Sequence, residues 1–304
     1  MKNKSPFHNA KLTLQAWGLD LSATLLKHVP VSVRYKILSR MGRLLGPLAH
    51  QQKAALELNL SRLLGINGPL LNLLTQEIFS NFAVTLGDFF IPDNIVTEAP
   101  QREMLETLRS RHNGLLMLTF HMGNWELGAR LLGEWGWPVT AVYQPYENTK
   151  FKQVIEKRRA KGVHFIPVGH GAAAGVREAL RRGDVVAMLG DHPFGEGGTP
   201  VDLLGHRVVW PKGPALLAVR EKTPIVIATV IRTKPGHYQV HIEEPLIPES
   251  SGRDEVDRLT QKIAHKFGML LAQHANQWAR FLPFDFAEDN SPVTPARLEE
   301  VVRV

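Results

Sequence analysis

Residues 114–126 read Gly114-Leu-Leu-Met-Leu-Thr-Phe120-His121-Met-Gly123-Asn124-Trp125-Glu126. Six apolar or β-branched residues follow a glycine without a polar interruption, the mark of a strand buried on both faces rather than one that alternates toward water. The run ends on a histidine and a glycine. Asn124 then stands where a helix cap is needed, and a helical stretch to Leu132 follows. In open α/β sheets ligands sit beyond the carboxyl ends of the strands, so His121 and its neighbours form the first candidate site. Glu126, five positions on and in the first helical turn, is a carboxylate expected to accept a hydrogen bond from one imidazole nitrogen and leave the other as a general base. The helix start beside it offers positive potential for a phosphate or a developing oxyanion.

Outward from this stretch the texture alternates. A helix at 102–111 precedes it; strands at 138–143, 164–168, 184–191, 224–233 and 238–244 and helices at 151–161, 172–182, 214–222 and 255–274 follow, with a Gly/Pro-rich loop after Asp191. Strands alternating with helices predict an α/β fold with a mostly parallel central sheet flanked by helices. Residues 10–92 instead read as helices, at 31–48, 54–64 and 70–90 after an apolar first segment. The expected division is a helical, basic, membrane-associating region at 1–95 and an α/β core at 96–304.

The chain has 304 residues, 44% of them hydrophobic, and no cysteine, so it holds enough apolar material for a sizeable core and has no disulfide framework, thiolate nucleophile or Cys-ligated metal. Thirteen histidines provide no metal-ligand spacing, and no metal or cofactor is expected. The net charge of +7 is unevenly spread. Residues 1–53 carry nine Lys/Arg against Asp20 alone, and residues 150–182 carry nine against Glu156 and Glu178, which leaves the remainder acidic. Two basic segments call for an anionic partner: a phosphate, a membrane surface or a nucleic acid. Aromatic residues are sparse in the second segment, which argues against nucleic acid. The segment 12–26 is broken by Asp20, too short to span a bilayer and a poor signal peptide. Its Leu12, Ala16, Leu19, Ala23 and Leu26 recur at helical spacing, which suits either a helix lying among lipid headgroups or ordinary packing on its own domain.

Taken in order, several motifs resemble those of the lysophospholipid/glycerolipid acyltransferase superfamily, and more closely its lipid A late acyltransferase branch. His121, Gly123, Asn124, Trp125 and Glu126 match its His-x-Gly-Asn-Trp-Glu element; Tyr143, Pro145 and Asn148 match part of a Tyr-Arg-Pro…Asn element. Arg158 and Arg159 correspond to a basic helix, Asp191-His192 to a strand-end Asp-Gln, Glu196-Gly-Gly-Thr199 to an acceptor-binding Glu-Gly-Thr, and Leu203-Leu-Gly205 through Lys212-Gly213 to Leu217-Ala218 to a Phe-Phe-Gly…Gly…Leu-Ala segment. The resemblance runs from about Gly114 to Trp278. It implies a cofactor-independent transfer of a fatty acyl group from an acyl thioester, of acyl carrier protein or coenzyme A, to a hydroxyl of a lipid or glycolipid. His121 and Glu126 would be catalytic; Asn124, Trp125, Tyr143, Arg158, Arg159, Asp191, Glu196 and Lys212 would contact substrate. It also implies a peripheral location on the cytoplasmic face of the bacterial inner membrane. Gln144 replaces the branch's Arg, and Ala279-Arg280-Phe281 replaces its Trp-x-His-x-Arg. Two other readings stand beside this one: a dinucleotide-binding oxidoreductase built on Gly169-His-Gly171 and Asp191, and a non-enzymatic membrane-binding scaffold.

Overall fold

The computed structural model describes residues 6–146, 148–192 and 198–286. Four helices open the chain: α1 (Pro6–Leu26), α2 (Val31–Leu45), α3 (His50–Leu64) and α4 (Gly68–Phe90). A short β1 (Val96–Glu98) and α5 (Arg102–Arg111) lead to β2 (Leu115–Thr119), α6 (Trp125–Glu134), β3 (Val139–Tyr143), α7 (Thr149–Glu156), β4 (Val163–Pro167), α8 (Ala172–Arg181) and β5 (Val185–Leu189). Then come β6 (Gly198–Leu203), β7 (His206–Pro211), α9 (Gly213–Glu221), β8 (Ile225–Lys234), β9 (His237–Ile242) and α10 (Arg253–His274).

Seven strands form one sheet in the order β1-β9-β8-β2-β5-β3-β4. The five from β8 to β4 are parallel, and β9 and β1 run the other way. The expected mostly parallel α/β sheet is therefore present. The unbroken apolar run of β2 has a direct cause, because both faces of this central strand are covered. Leu116 and Leu118 pack with α8, α9 and α10 residues such as Ala179, Ala218 and Ile263. Leu115 and Met117 pack with Leu105 of α5 and Leu127 and Leu132 of α6. Each fully buried Leu contributes roughly 1.5–3 kcal/mol of apolar burial.

The N-terminal helices join the same core, α3 and α4 contributing Leu56, Leu60, Leu63 and Ile78. On α1, Ala23 is buried and Leu19 and Leu26 pack beside it against Phe90, Ile91, Val154 and Ile155. Three of the five residues at helical spacing thus pack on the protein itself, the second of the two readings; the side chains of Leu12 and Ala16 lie outside the described set. A different face of α1, with Trp17, Leu21 and Leu25, is exposed. The Gly/Pro-rich stretch after Asp191, expected to be a loop, contains the antiparallel hairpin β6–β7. Its inward residues Val201, Leu203, Val208 and Trp210 are buried, and α10 covers it.

The connections fix where a ligand can sit. From β2 the chain crosses over α6 to β3, toward the β4 edge. From β5, the neighbour of β2, it leaves by the hairpin and α9 to β8, on the other side. Adjacent parallel strands whose connections depart in opposite directions leave a crevice at their carboxyl ends. Here that crevice lies between the residues following Thr119 and those following Leu189.

Candidate active site

Thr119 and Leu189 are in register, and His121 and Asp191 each stand two residues beyond them. The two side chains meet in the crevice. The carboxylate of Asp191 accepts from His121 Nδ1 at 2.9 Å, from the His121 backbone N–H at 3.1 Å and from Trp278 Nε1 at 3.0 Å. Three donors on one wholly buried carboxylate decide its protonation. Burial alone raises its pKa, but the His121 charge and hydrogen bond, the nearby Arg280 and the Trp278 N–H outweigh that and hold it at about 2. Asp191 is an anion at neutral pH. Its bond to Nδ1 fixes the ring and leaves Nε2 without a protein hydrogen bond among the described residues.

The segment after α10 completes this arrangement. The Ala279 N–H donates to His121 O at 2.7 Å and the Gly123 N–H to Gln277 O at 2.9 Å. The Gln277 side chain in turn pairs with both the N–H and the C=O of Arg232, each at 3.0 Å, pinning the segment to β8. Gly123 turns the chain with φ +64°, and a Cβ there would collide with the Val230 carbonyl, so no other residue allows this approach to β8. Arg280 lies almost fully buried behind Asp191, donating to the carbonyls of Leu282 and Pro283 and stacked 3.9 Å from the Phe284 ring. Burial lowers its pKa to about 10, with Asp191 opposing the fall.

His121 borders a cavity of about 300 Å³. Phe82, Leu86 and Phe89 of α4 make one apolar wall, and Ala141, Phe165 and Met188 another. The cavity's polar lining includes His121, Glu126, Tyr143, Gln144, Tyr146 and Arg159. Trp125 packs edge-on to the imidazole at 5.4 Å between centroids, and His192 lies 6.3 Å away on another side. Burial lowers the pKa of His192, as do the charges of Arg280 and His121.

The structure brings only some of the expected site residues together. Glu126 lines the cavity but forms no hydrogen bond with His121; Asp191 occupies that position. Burial raises the Glu126 pKa, and the charge of Arg159 is the opposing influence. Asp191, expected to touch substrate, lies behind His121 instead. Asn124 is fully buried as the cap of α6, accepting from Leu127 N–H at 3.4 Å and donating to Thr85 O at 3.5 Å. The amides of Gly123, Asn124 and Leu127 are thereby occupied, which reduces the anion-binding capacity expected of this helix start. Tyr143 and Trp125 do line the cavity. So does Arg159, its guanidinium sandwiched 4.5 Å from both the Tyr143 and Phe165 rings. Arg158 does not. It holds Asp20 of α1 at 2.5 Å and the Phe90 carbonyl at 3.0 Å, an interhelical clamp. Lys212 is exposed at the N-cap of α9, away from the cavity wall. Glu196 lies outside the described residues.

The dinucleotide reading meets two obstacles. Its Gly169-His-Gly171 turn follows β4, an edge strand rather than one beside the crevice. The acid it needs for a ribose, Asp191, is buried and engaged by His121 and Trp278. No group of three or more metal-ligating side chains occurs among the described residues.

No curated protein matches the chain. Among solved structures it is similar to the crystal structure of the 1-acyl-sn-glycerophosphate (LPA) acyltransferase PlsC from Thermotoga maritima, with 12% identity, 78% of this chain and 98% of that one covered, and a TM-score of 0.35. The family model for bacterial lipid A biosynthesis acyltransferases matches residues 5–283, nearly the whole of the described chain. By that match the protein belongs to the bacterial lipid A biosynthesis acyltransferase family.

Proposed function

We propose that the protein moves a fatty acyl group from an acyl thioester, of acyl carrier protein or coenzyme A, to a hydroxyl of a lipid A precursor-like glycolipid. The observation that carries this reading is the His121–Asp191 pair bordering a cavity with two apolar walls. The acyl chain lies along the apolar walls with its thioester carbonyl beside His121. Nε2 takes the acceptor proton as the hydroxyl oxygen attacks that carbonyl. The tetrahedral intermediate then expels the thiolate, which receives the same proton back from the imidazolium. Asp191 keeps the ring in the required tautomer and stabilises its charged form. Glu126, drawn toward its protonated form by burial, faces the same cavity as a hydrogen-bonding group for the acceptor. No acyl-enzyme and no cofactor enters this scheme.

Among the described residues no helix is long and apolar enough to cross a membrane. Two exposed apolar stripes support a peripheral attachment to the inner membrane: Trp17, Leu21 and Leu25 on α1, and Val33, Ile37, Met41 and Leu44 on α2, the latter beside Lys36, Arg40 and Arg43.

The direct experiment is acyl transfer by the purified protein, offered acyl carrier protein and coenzyme A thioesters in parallel and a lipid A precursor as acceptor. His121→Ala is expected to lose at least a thousandfold in rate with its fold unchanged by circular dichroism. Transfer within tenfold of the parent would remove His121 as the base.

A further inference from the structure

Attack of a hydroxyl oxygen on a thioester carbonyl moves the C=O π pair onto the carbonyl oxygen, and that negative charge needs hydrogen-bond donors already in place. The amides at the start of α6 are engaged elsewhere. Gly123 N–H binds Gln277 O, Asn124 N–H binds Val230 O at 2.8 Å, and Leu127 N–H binds the Asn124 side chain. That shifts the demand for a donor to side chains of the cavity.

Two rings of the cavity lining pack against the imidazole of His121: Trp125 at 5.4 Å and His192 at 6.3 Å between centroids, the latter nearly perpendicular at 85°. Trp125 stands on the same lip of the crevice as His121, in the first turn of α6. His192 stands on the opposite lip, directly after Asp191, beyond the end of β5. A carbonyl bound in the crevice lies between the two histidines. The attacking oxygen sits at hydrogen-bond distance from Nε2, so the carbonyl oxygen falls roughly 5 Å from the centre of the His121 ring. An imidazole whose centre is 6.3 Å from that ring can bring an N–H to within about 3 Å of this oxygen. The two histidines also differ in their surroundings. Asp191 is bonded to His121 and stabilises its imidazolium, whereas burial, and after it the charges of Arg280 and His121, lower the pKa of His192. Charge formed on His121 therefore drives His192 further toward its neutral ring. One nitrogen of a neutral imidazole can anchor the ring while the other carries an N–H.

We propose that His192 is a catalytic residue that donates a hydrogen bond to the carbonyl oxygen of the tetrahedral intermediate from the lip opposite His121. As the acceptor oxygen bonds to carbon, the π pair moves to the oxygen facing His192. When the C–S bond breaks, that pair re-forms the C=O, and the C–S pair leaves with sulfur, which takes the proton from His121. His192 neither gains nor loses a proton. This role rests on the acyl-transfer reading above, and the experiment keeps the two apart.

Turnover and binding are measured on the full chain. In turnover, His192→Leu is expected to lose about a hundredfold in kcat with KM changed by less than about threefold. His192→Gln, which keeps an N–H donor, is expected to recover to within about tenfold of the parent. Binding is followed by calorimetry with undecyl trifluoromethyl ketone, which hydrates to a tetrahedral diol, against undecyl methyl ketone, which stays planar. The parent is expected to prefer the hydrated ketone by about tenfold or more. His192→Leu should lose that preference while binding the planar ketone normally, which excludes a folding defect, and His192→Gln should keep it. No preference in the parent, a preference that survives in His192→Leu, one abolished by Trp125→Phe in its place, or kcat of His192→Leu within about tenfold of the parent overturns the proposal. A parent that prefers the hydrated ketone through His192 but transfers no acyl group to the acceptors offered leaves this donor standing and overturns the acceptor reading instead.

Discussion

Replacing Asp191 by asparagine changes side-chain volume little and removes one buried charge. Its consequences follow from the donors that surround it. Three N–H groups converge on the carboxylate, from His121 Nδ1, the His121 backbone and Trp278 Nε1. An asparagine has one accepting oxygen and an NH₂ that only donates. If the oxygen turns toward the His121 and Trp278 N–H groups, the NH₂ faces Nδ1. The ring then relieves the donor–donor clash by moving its proton to Nε2, the atom that must act as base. In the best-studied hydrolase triad an equivalent change costs roughly 10⁴-fold in kcat, or about 5 kcal/mol of barrier. A loss of that order is expected here. Stability is expected to fall as well. The shift of the Asp191 carboxyl from 3.8 to about 2 corresponds to about 2 kcal/mol favouring the folded state above the ordinary carboxylate range. In the parent this contribution disappears as pH falls through 2; in Asp191→Asn it is absent at every pH. The assay pairs initial rates of acyl transfer with urea unfolding at pH 7, using Glu126→Gln as the comparator. Should Asp191→Asn retain a rate within tenfold of the parent while Glu126→Gln loses a thousandfold, the assignment of Asp191 as the partner of the base is wrong.

Trp278→Phe keeps a ring in contact with Phe284 but removes one of the three donors that hold the Asp191 carboxylate in place behind the imidazole. Roughly a tenfold loss of kcat is expected; a rate equal to the parent's would mean the residue only packs. For Glu126 the sign is opposite to that of Asp191. Its carboxyl titrates above the ordinary range, so its ionisation at pH 7 opposes folding. Glu126→Gln is therefore expected to be more stable than the parent at pH 7. Denaturant midpoints should show that advantage vanish below the ordinary carboxylate range, where both the folded and unfolded parent are protonated.

Local signals account for what the sequence revealed. The run before His121 announces a two-sided buried strand because its neighbours cover both faces, and Asn124 caps α6 as its position suggests. Long-range pairings were hidden. Glu126 is close to His121 in sequence, but the start of α6 directs it into the cavity, whereas Asp191 reaches the ring from 70 residues away through strand register. The signal for it was present in the apolar run 185–189 ending, like β2, two residues before a polar side chain placed at the carboxyl edge. Arg158 looked like a free phosphate ligand because its partner Asp20 is 138 residues distant and is the lone acid of a basic segment. The β6–β7 hairpin was masked by glycine and proline, although Val201, Leu203, Val208 and Trp210 alternate inward. Arg280 stood out only as a departure from a family pattern, and nothing local indicated that it is buried behind the carboxylate.

The bond from Trp278 to Asp191 spans 87 residues, and the backbone bonds from residues 277 and 279 secure the His121 loop at its other side. During synthesis, β2, β5 and the cavity walls leave the ribosome well before this segment does. The contacts that align the imidazole can therefore form only after the segments of the cavity walls have been made. A fragment ending before residue 277 is accordingly expected to keep the segments of the cavity walls and to lack the contacts that align His121.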